Sequence, residues 1–203
     1  IEGESNDATA TLTTPTSYTM VNNGTESDAS HSDSSARKVS MQRPGSGAAQ
    51  LTTDARVDYF RLDYNITTLP KGTYRCLVAV KASEDGGSGG NTHNAEQFSF
   101  GMGWTYGDVS LLDTTSPDVT SFVQMPAQPI AAASNRELLD LGTITIPPIN
   151  TPDNMTDGTL VLNIFCGYER HPSGGSSQAI TAGQRLNWFL DFIHFMPIDR
   201  GSN

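Results

Sequence analysis

The stretch GTYRCLVAVKA, residues 72–82, indicates the fold class of this chain. Apolar or aromatic side chains recur there at every second position, at Tyr74, Cys76, Val78 and Val80. That spacing is typical of a β-strand with one buried face. RVDYFRLDYNI (56–66) alternates in the same way just upstream, and LPKG (69–72) between the two runs has turn chemistry. We therefore predict that the two runs are antiparallel neighbours.

Similar runs continue in both directions along the chain. Downstream they are EQFSFGMGW (96–104), TSFVQM (120–125), LLDLGTITIPP (138–148), GTLVLNIFCGYE (158–169) and LNWFLDFIHFMPI (186–198). Upstream they are shorter and more polar: ATATLTT (8–14), SYTMV (17–21) and RKVSMQ (37–42). Helical periodicity is nearly absent, and only a single turn is expected, around residues 134–140. About ten short strands with turns between them predict one all-β domain over residues 1–203, a β-sandwich of jelly-roll type.

Charge and hydropathy exclude several classes of function. The chain of 203 residues carries 12 basic and 22 acidic residues, a net charge of -10, and has no basic stripe. This argues against binding nucleic acid through its phosphates. No apolar run approaches the roughly 20 residues of a membrane helix, so we expect no membrane insertion. The opening IEGES has neither an initiator Met nor a signal peptide, which suggests a processed product or an excerpt of a longer chain.

The order of the motifs resembles a known family. A Glu-x-Glu opening (IEGES) is followed by a polar loop that ends in SDASHSDSSARKVSM, then by LPKGTYRCLVAVKAS, and the chain closes on LDFIHFMPID. This resembles the galactose-binding-like β-sandwich of carbohydrate-binding module families 6 and 35. The resemblance implies that the first and last strands lie side by side and hold one structural calcium ion, with Glu2, Glu4 and Asp191 as its ligands. The chain departs from the family in lacking a Gly-Gly pair in the polar loop and in insertions at 83–95 and 126–137.

A second resemblance concerns the closing segment. An ending of the form Leu-Asp-Phe-Ile-x-Phe-x-Pro-Ile-Asp, after the LDLGTITIPP strand, is similar to modules of tailed-phage virion proteins. Head-decoration, tail and fibre proteins of such phages carry this sandwich as an appended domain. The resemblance implies a structural role in a virion.

Asp191 lies in the middle of the most apolar run of the chain, LNWFLDFIHFMPID (186–199). Counting by twos places Phe189, Ile193 and Phe195 on its face. An ionised carboxylate buried there without partners would cost several kcal/mol. The carboxylate therefore either binds a metal, or caps backbone N–H groups at a sheet edge, or pairs with an arginine such as Arg185.

A candidate sugar platform occurs in GMGWTYGD, where glycines flank Trp104 and Tyr106 at a strand end. Aromatic rings stack on the apolar faces of pyranose rings, while nearby polar groups bind the hydroxyls. Tyr168, Arg170 and His171 lead into a loop that could supply such groups. The alternative is that the aromatic side chains pack in the core.

No catalytic pattern is present. The chain has no Gly-x-Ser-x-Gly elbow, no phosphate-binding loop and no His-Glu-x-x-His, so we predict that it is not an enzyme. Cys76 and Cys166 are either two buried thiols or a disulfide.

The sequence favours a non-catalytic phage virion component: a capsid decoration, tail or fibre protein. Such a component would contact other virion subunits in an oligomeric assembly and adhere weakly to cell-surface glycans. The alternative is a secreted, extracellular bacterial carbohydrate-binding module from a modular glycoside hydrolase.

Overall fold

The computed structural model describes residues 9–12, 19–27, 35–42, 57–66, 69–85, 95, 98–106, 109–110, 121–127, 136–146, 160–169 and 185–199. Regular structure in these ranges consists of β-strands. The strands are β1 (Thr9–Leu12), β2 (Thr19–Ser27), β3 (Ser35–Gln42), β4 (Val57–Ile66), β5 (Gly72–Asp85), β6 (Phe98–Tyr106), β7 (Val109–Ser110), β8 (Val123–Gln124), β9 (Glu137–Ile146), β10 (Leu160–Glu169) and β11 (Arg185–Asp199).

The strands form two sheets in which every described pairing is antiparallel. Sheet I has the order β1-β4-β10-β6-β7, with β8 also paired to β6. Sheet II has the order β2-β3-β11-β5-β9. The chain passes from one sheet to the other repeatedly, between β1 and β2, between β3 and β4, at each connection from β4 to β6, and at each connection from β8 to β11. The predicted jelly-roll β-sandwich is confirmed.

One hydrophobic core lies between the sheets. Leu62 and Ile164 enter it from sheet I, and Val78 enters it from sheet II. The Phe98 and Trp188 rings meet across the core with centroids 4.9 Å apart. The Trp188 indole Nε1 donates a hydrogen bond of 3.1 Å to the backbone carbonyl of Gly167 in the opposite sheet. This bond satisfies the polar end of a buried indole, as its burial requires.

The predicted pairing of the runs at 56–66 and 72–82 is wrong. The two strands are β4 and β5, and they lie in different sheets: β4 pairs with β1 and β10, whereas β5 pairs with β9 and β11. The turn between them therefore crosses from one sheet to the other, and the Tyr74 hydroxyl donates to the carbonyl of Pro70 there at 2.8 Å. Alternation shows that a strand is buried on one face, but it does not identify the neighbouring strand.

The helical turn expected around residues 134–140 is also absent from the described part of that range, because β9 begins at Glu137. In β9 the backbone of Gly142 has a φ of 110°, which side chains other than glycine rarely adopt. Gly142 N–H donates to Asp140 Oδ1 at 3.0 Å. The irregular backbone here coincides with a register shift against β5.

The closing strand β11 is central in sheet II and contains a β-bulge. Its register on β5 pairs Leu190 with Val80 and Phe192 with Ala79, so Asp191 is an extra residue. The bulge reverses the alternation. Leu186, Trp188 and Leu190 are in the core before it and Ile193 after it, whereas Phe189 lies on the outer face. The prediction that Phe189 and Ile193 share one face is therefore wrong.

Candidate functional site

Trp104, expected on an exposed sugar platform, lies in the core. It is only 1% exposed and packs on the same side of β6 as Met102. Tyr106 is partly buried and packs against that core. A ring surrounded by protein presents no face to a sugar. The expectation of an exposed Trp104 ring is wrong, because its position in the alternation of β6 points it between the sheets.

The register of sheet I also separates the two halves of the expected platform. Trp104 pairs with Leu162, and Tyr168 pairs with Phe98. Six residues along β10 therefore separate the two positions, which corresponds to about 20 Å of strand. Trp104 and Tyr168 consequently lie toward opposite ends of the β6–β10 pair. Arg170 and His171 lie outside the described residues, and their part in a sugar site stays a prediction.

Asp191 is balanced by an arginine. Its side chain is 1% exposed, and its Oδ2 accepts a hydrogen bond of 2.6 Å from Arg136 Nη1. Arg136 directly precedes β9, two strands away from β11, and its guanidinium carbon lies 5.8 Å from the centroid of the Phe192 ring. On β5, Ala79 pairs with Phe192 on one side and with Leu138 on the other. The Arg185 suggested from sequence stands instead at the start of β11, opposite Asp85 and Gln42.

A calcium site needs several oxygen ligands around one ion. Of the three candidate ligands, only Asp191 belongs to the described residues, since Glu2 and Glu4 lie outside them. Within the described ranges no group of three or more His, Cys, Asp or Glu side chains is placed to hold a metal, and the charge of Asp191 is met by Arg136. The described residues alone therefore do not make a calcium site. The three-carboxylate set stays a prediction.

The two cysteines are free thiols buried in opposite sheets. Burial, together with the negative charge of Asp140, raises the pKa of Cys76 to about 12, and burial raises the pKa of Cys166 well above its usual value. The thiolate is the nucleophilic form of cysteine. Neither residue is therefore a reactive nucleophile near neutral pH.

A polar cluster that the sequence analysis missed lies on the outer face of sheet I. The core-facing residues of β4, β10 and β6 have even numbers, so their odd-numbered residues face outward. Asn163 of β10 stands between Asp63 of β4 and Gly103 of β6, and Phe165 stands between Arg61 and Gly101. We call these residues and Phe122, which packs on them, the Asp63 patch.

The polar side chains of the Asp63 patch are joined by hydrogen bonds and an ion pair. Arg61 Nη2 donates to Asp63 Oδ2 at 3.0 Å, and Arg61 Nε lies 2.8 Å from Oδ1 as an ion-pair contact. Asn163 Nδ2 donates to Asp63 Oδ1 at 2.5 Å. Asn163 is only 2% exposed, and its Oδ1 accepts no hydrogen bond from the residues that the structure describes. A buried acceptor with no donor is uncommon in proteins.

Two aromatic rings and two glycines complete the Asp63 patch. The Phe122 and Phe165 rings stack with centroids 5.9 Å apart and planes 21° apart. Phe122 packs directly on the backbone of Gly101, where a Cβ would lie 2.3 Å from its ring. Gly103 lies under the Phe165 ring and beside Asn163, since a Cβ there would be 3.2 Å from the ring and 3.8 Å from Asn163 Oδ1. Two aromatic rings, each packed on a glycine backbone, thus lie beside the planar polar groups.

The sequence contains only a partial signal for this patch. Arg61, Asp63 and Asn65 occupy alternate positions of RLDYN, which predicts a polar outer face on β4. Asn163 is 100 residues away and joins them only through the β4–β10 register. Sheet register therefore had to be known before the patch could be recognised.

Comparison with known proteins found no matching protein-family model and no similar curated protein. Among solved structures, the chain is similar to the carbohydrate-binding module TmCBM61, solved in complex with β-1,4-galactotriose. The TM-score is 0.38 at 10% identity over 96% of this chain and 91% of that one. A second similar structure comes from work on promiscuous specificity in the β-sandwich superfamily of carbohydrate-binding modules. Its TM-score is 0.38 at 13% identity over 96% of this chain and 58% of that one. Matches at this level carry no information about a ligand.

The described residues contain no helix with the length and hydropathy that crossing a membrane requires.

Proposed function

We propose that this chain is a non-catalytic β-sandwich module that binds a glycan at the Asp63 patch. The proposal is supported by three hydrogen-bonded polar side chains, Arg61, Asp63 and Asn163, beside a partly exposed Phe122 ring. Ligand sites commonly combine an apolar wall with a few fixed polar groups. Here the polar groups and Phe165 stand on strands, which hold side chains more rigidly than loops do, and Phe122 directly precedes β8.

The chemistry of the trio suits sugar hydroxyls. A hydroxyl group both donates and accepts, and the carboxylate, amide and guanidinium offer acceptors and donors in fixed planes. Asn163 Oδ1 has an unused acceptor position, and a sugar hydroxyl that displaced the groups covering it could donate there. The Arg61–Asp63 pair is neutral as a unit. The patch itself therefore favours an uncharged sugar.

The test is glycan binding by the whole purified chain and by Asp63→Asn. This change keeps the shape of the side chain but removes the negative charge that attracts Arg61 and accepts the hydrogen bond of Asn163. We expect glycan affinity at least about tenfold weaker, because about 1.4 kcal/mol of hydrogen bonding to a charged group corresponds to a factor of ten. Isothermal titration with a hit from a glycan array measures it.

Asp140→Asn is the matched control. Asp140 also pairs with an arginine, with 2.9 Å between Arg75 Nε and Asp140 Oδ2, but this pair lies in sheet II and is well exposed. The control is expected to bind as the unmodified chain does. Equal binding by both variants, or no binding to any glycan by the unmodified chain, would contradict the proposed function.

The setting of the module stays a prediction from the sequence. A virion component is expected to assemble with copies of itself or with other subunits, whereas a secreted module is expected to bind glycans as a monomer. Sedimentation of the purified chain separates the two. A stable monomer that binds a plant or bacterial polysaccharide tightly would contradict the virion setting.

A further inference from the structure

The outer face of sheet I is covered at the end where Phe165 lies. Phe165 follows Asn163 by two residues on β10 and is 0% exposed, and Gly167 beyond it is buried as well. Ser99 stands beside Gly167 on β6 and is 1% exposed. A ligand that reaches Asn163 would therefore have to displace packed side chains in order to extend in this direction.

The same face is open at its other end. The next row beyond Asn163 in that direction has Val161 of β10 in the middle, with Asn65 of β4 on one side and Thr105 of β6 on the other. We call these three residues the Val161 row. Core-facing residues on these strands have even numbers, so the side chains of the row face outward. Asn65 is exposed, and Val161 and Thr105 are partly exposed.

The dimensions of the Val161 row suit one sugar ring. Neighbouring strands lie about 4.8 Å apart, so the Cα atoms of Asn65 and Thr105 are separated by about 10 Å. A pyranose ring above Val161 would have the Asn65 amide at one edge and the Thr105 hydroxyl at the other. Amide and hydroxyl groups both donate and accept hydrogen bonds, which matches the hydroxyls of a sugar.

The distance from Asn163 to the Val161 row also suits a sugar chain. Two residues along a strand correspond to about 6.7 Å, which is comparable to the repeat of a chain of linked sugars. The row contains no charged residue, and the neighbouring Arg61–Asp63 pair is neutral as a unit. The row therefore offers a position for the next residue of an uncharged sugar chain.

We propose that the glycan ligand is a neutral oligosaccharide of two or more residues, and that its second residue binds over the Val161 row. Asn65 and Thr105 bind the hydroxyls of this residue, while Val161 contacts its apolar face. The chain runs in this direction because the Phe165 end of the face is covered. The inference rests on the proposed function, since it adds a second subsite to the one at Asn163.

The test uses the methyl β-glycosides of glucose, galactose, mannose and xylose, and their β-1,4-linked disaccharides, on the isotope-labelled whole chain. In at least one series we expect the disaccharide to bind at least about tenfold more tightly than the monosaccharide, because its second residue adds hydrogen bonds. Both sugars of that series should shift the amide signals of Asn163. Only the disaccharide should shift those of Val161 and Thr105.

Two variants remove the hydrogen-bonding groups of the Val161 row without changing the charge of the chain. Asn65→Ala and Thr105→Val should each lower the ratio of disaccharide to monosaccharide affinity about threefold, as expected for the loss of one neutral hydrogen bond. Thr143→Val is the matched control, because it removes a hydroxyl from an exposed position of β9 in sheet II. It should keep the full ratio, and melting temperatures confirm that all three variants fold.

The outcomes separate this inference from the proposed function. Equal affinity for a monosaccharide and its disaccharide, with shifts at Asn163 but none at Val161 or Thr105, overturns the inference and leaves the proposed function standing. An equal loss of the ratio in Thr143→Val also overturns the inference alone. Sugar binding without any shift at Asn163, or no binding of any of these glycosides, overturns both.

Discussion

Trp104→Ala is expected to lower the free energy of unfolding by about 3–5 kcal/mol, because it leaves a large cavity among core side chains. Trp104 is among the largest fully buried side chains described. It stands on the face of β6 that packs against sheet II, and little solvent can fill the space. Chemical denaturation followed by circular dichroism measures the change. Binding of glycan by the fraction that remains folded should be unchanged.

Tyr106→Ala provides the comparison. Tyr106 is two residues away on the same strand and packs against the same core, but it is partly exposed. Its loss should destabilise the chain clearly less than the loss of Trp104. The opposite pattern, a Trp104→Ala chain of nearly normal stability that no longer binds glycan, would restore Trp104 as a sugar platform.

Arg136→Gln is expected to lower the free energy of unfolding by about 3 kcal/mol, since it leaves the buried Asp191 carboxylate without its cation. The cost lies at the lower end of the range for buried pairs because the Arg136 side chain is 42% exposed. Water can therefore replace part of the lost interaction. The double variant Arg136→Gln/Asp191→Asn should recover some of the loss, because no buried charge remains.

Arg75→Gln serves as the control, since the Arg75–Asp140 pair has side chains 49% and 42% exposed. Exposed pairs contribute about 0–1 kcal/mol, and this variant should change little. The same samples also address calcium. If an ion balanced Asp191 together with Glu2 and Glu4, a chelator would lower the melting temperature of the unmodified chain, and Arg136→Gln would cost little in calcium.

The all-β class and the jelly-roll sandwich could be predicted because each long strand carries its own alternation. GTYRCLVAVKA needs no partner to show that one face is buried. Which strands are neighbours in a sheet could not be predicted in the same way. β4 and β5 both alternate, and nothing local shows that the turn at Pro70 crosses the core to the other sheet.

Asp191 shows that one extra residue in a strand makes period-2 alternation assign the wrong face to the residues after it. The bulge moves Ile193 to the core face, although Phe189 before it faces outward. A bulge depends on the pairing of both strands, which a single strand sequence does not contain. The Asp63 patch illustrates the same limit, because Asn163 and Asp63 meet only after two distant strands pair.

The position of β11 has a consequence for synthesis of the protein. β11 lies between β3 and β5, so these two strands have no direct contact in sheet II until residues 185–199 leave the ribosome. The earlier strands β5 and β9 can pair first, but the sheet stays in two pieces. Folding of the whole sandwich thus follows translation of β11. Until then the core-facing side chains of β3 and β5 stay exposed to aggregation, which chaperones or rapid completion of the chain would limit.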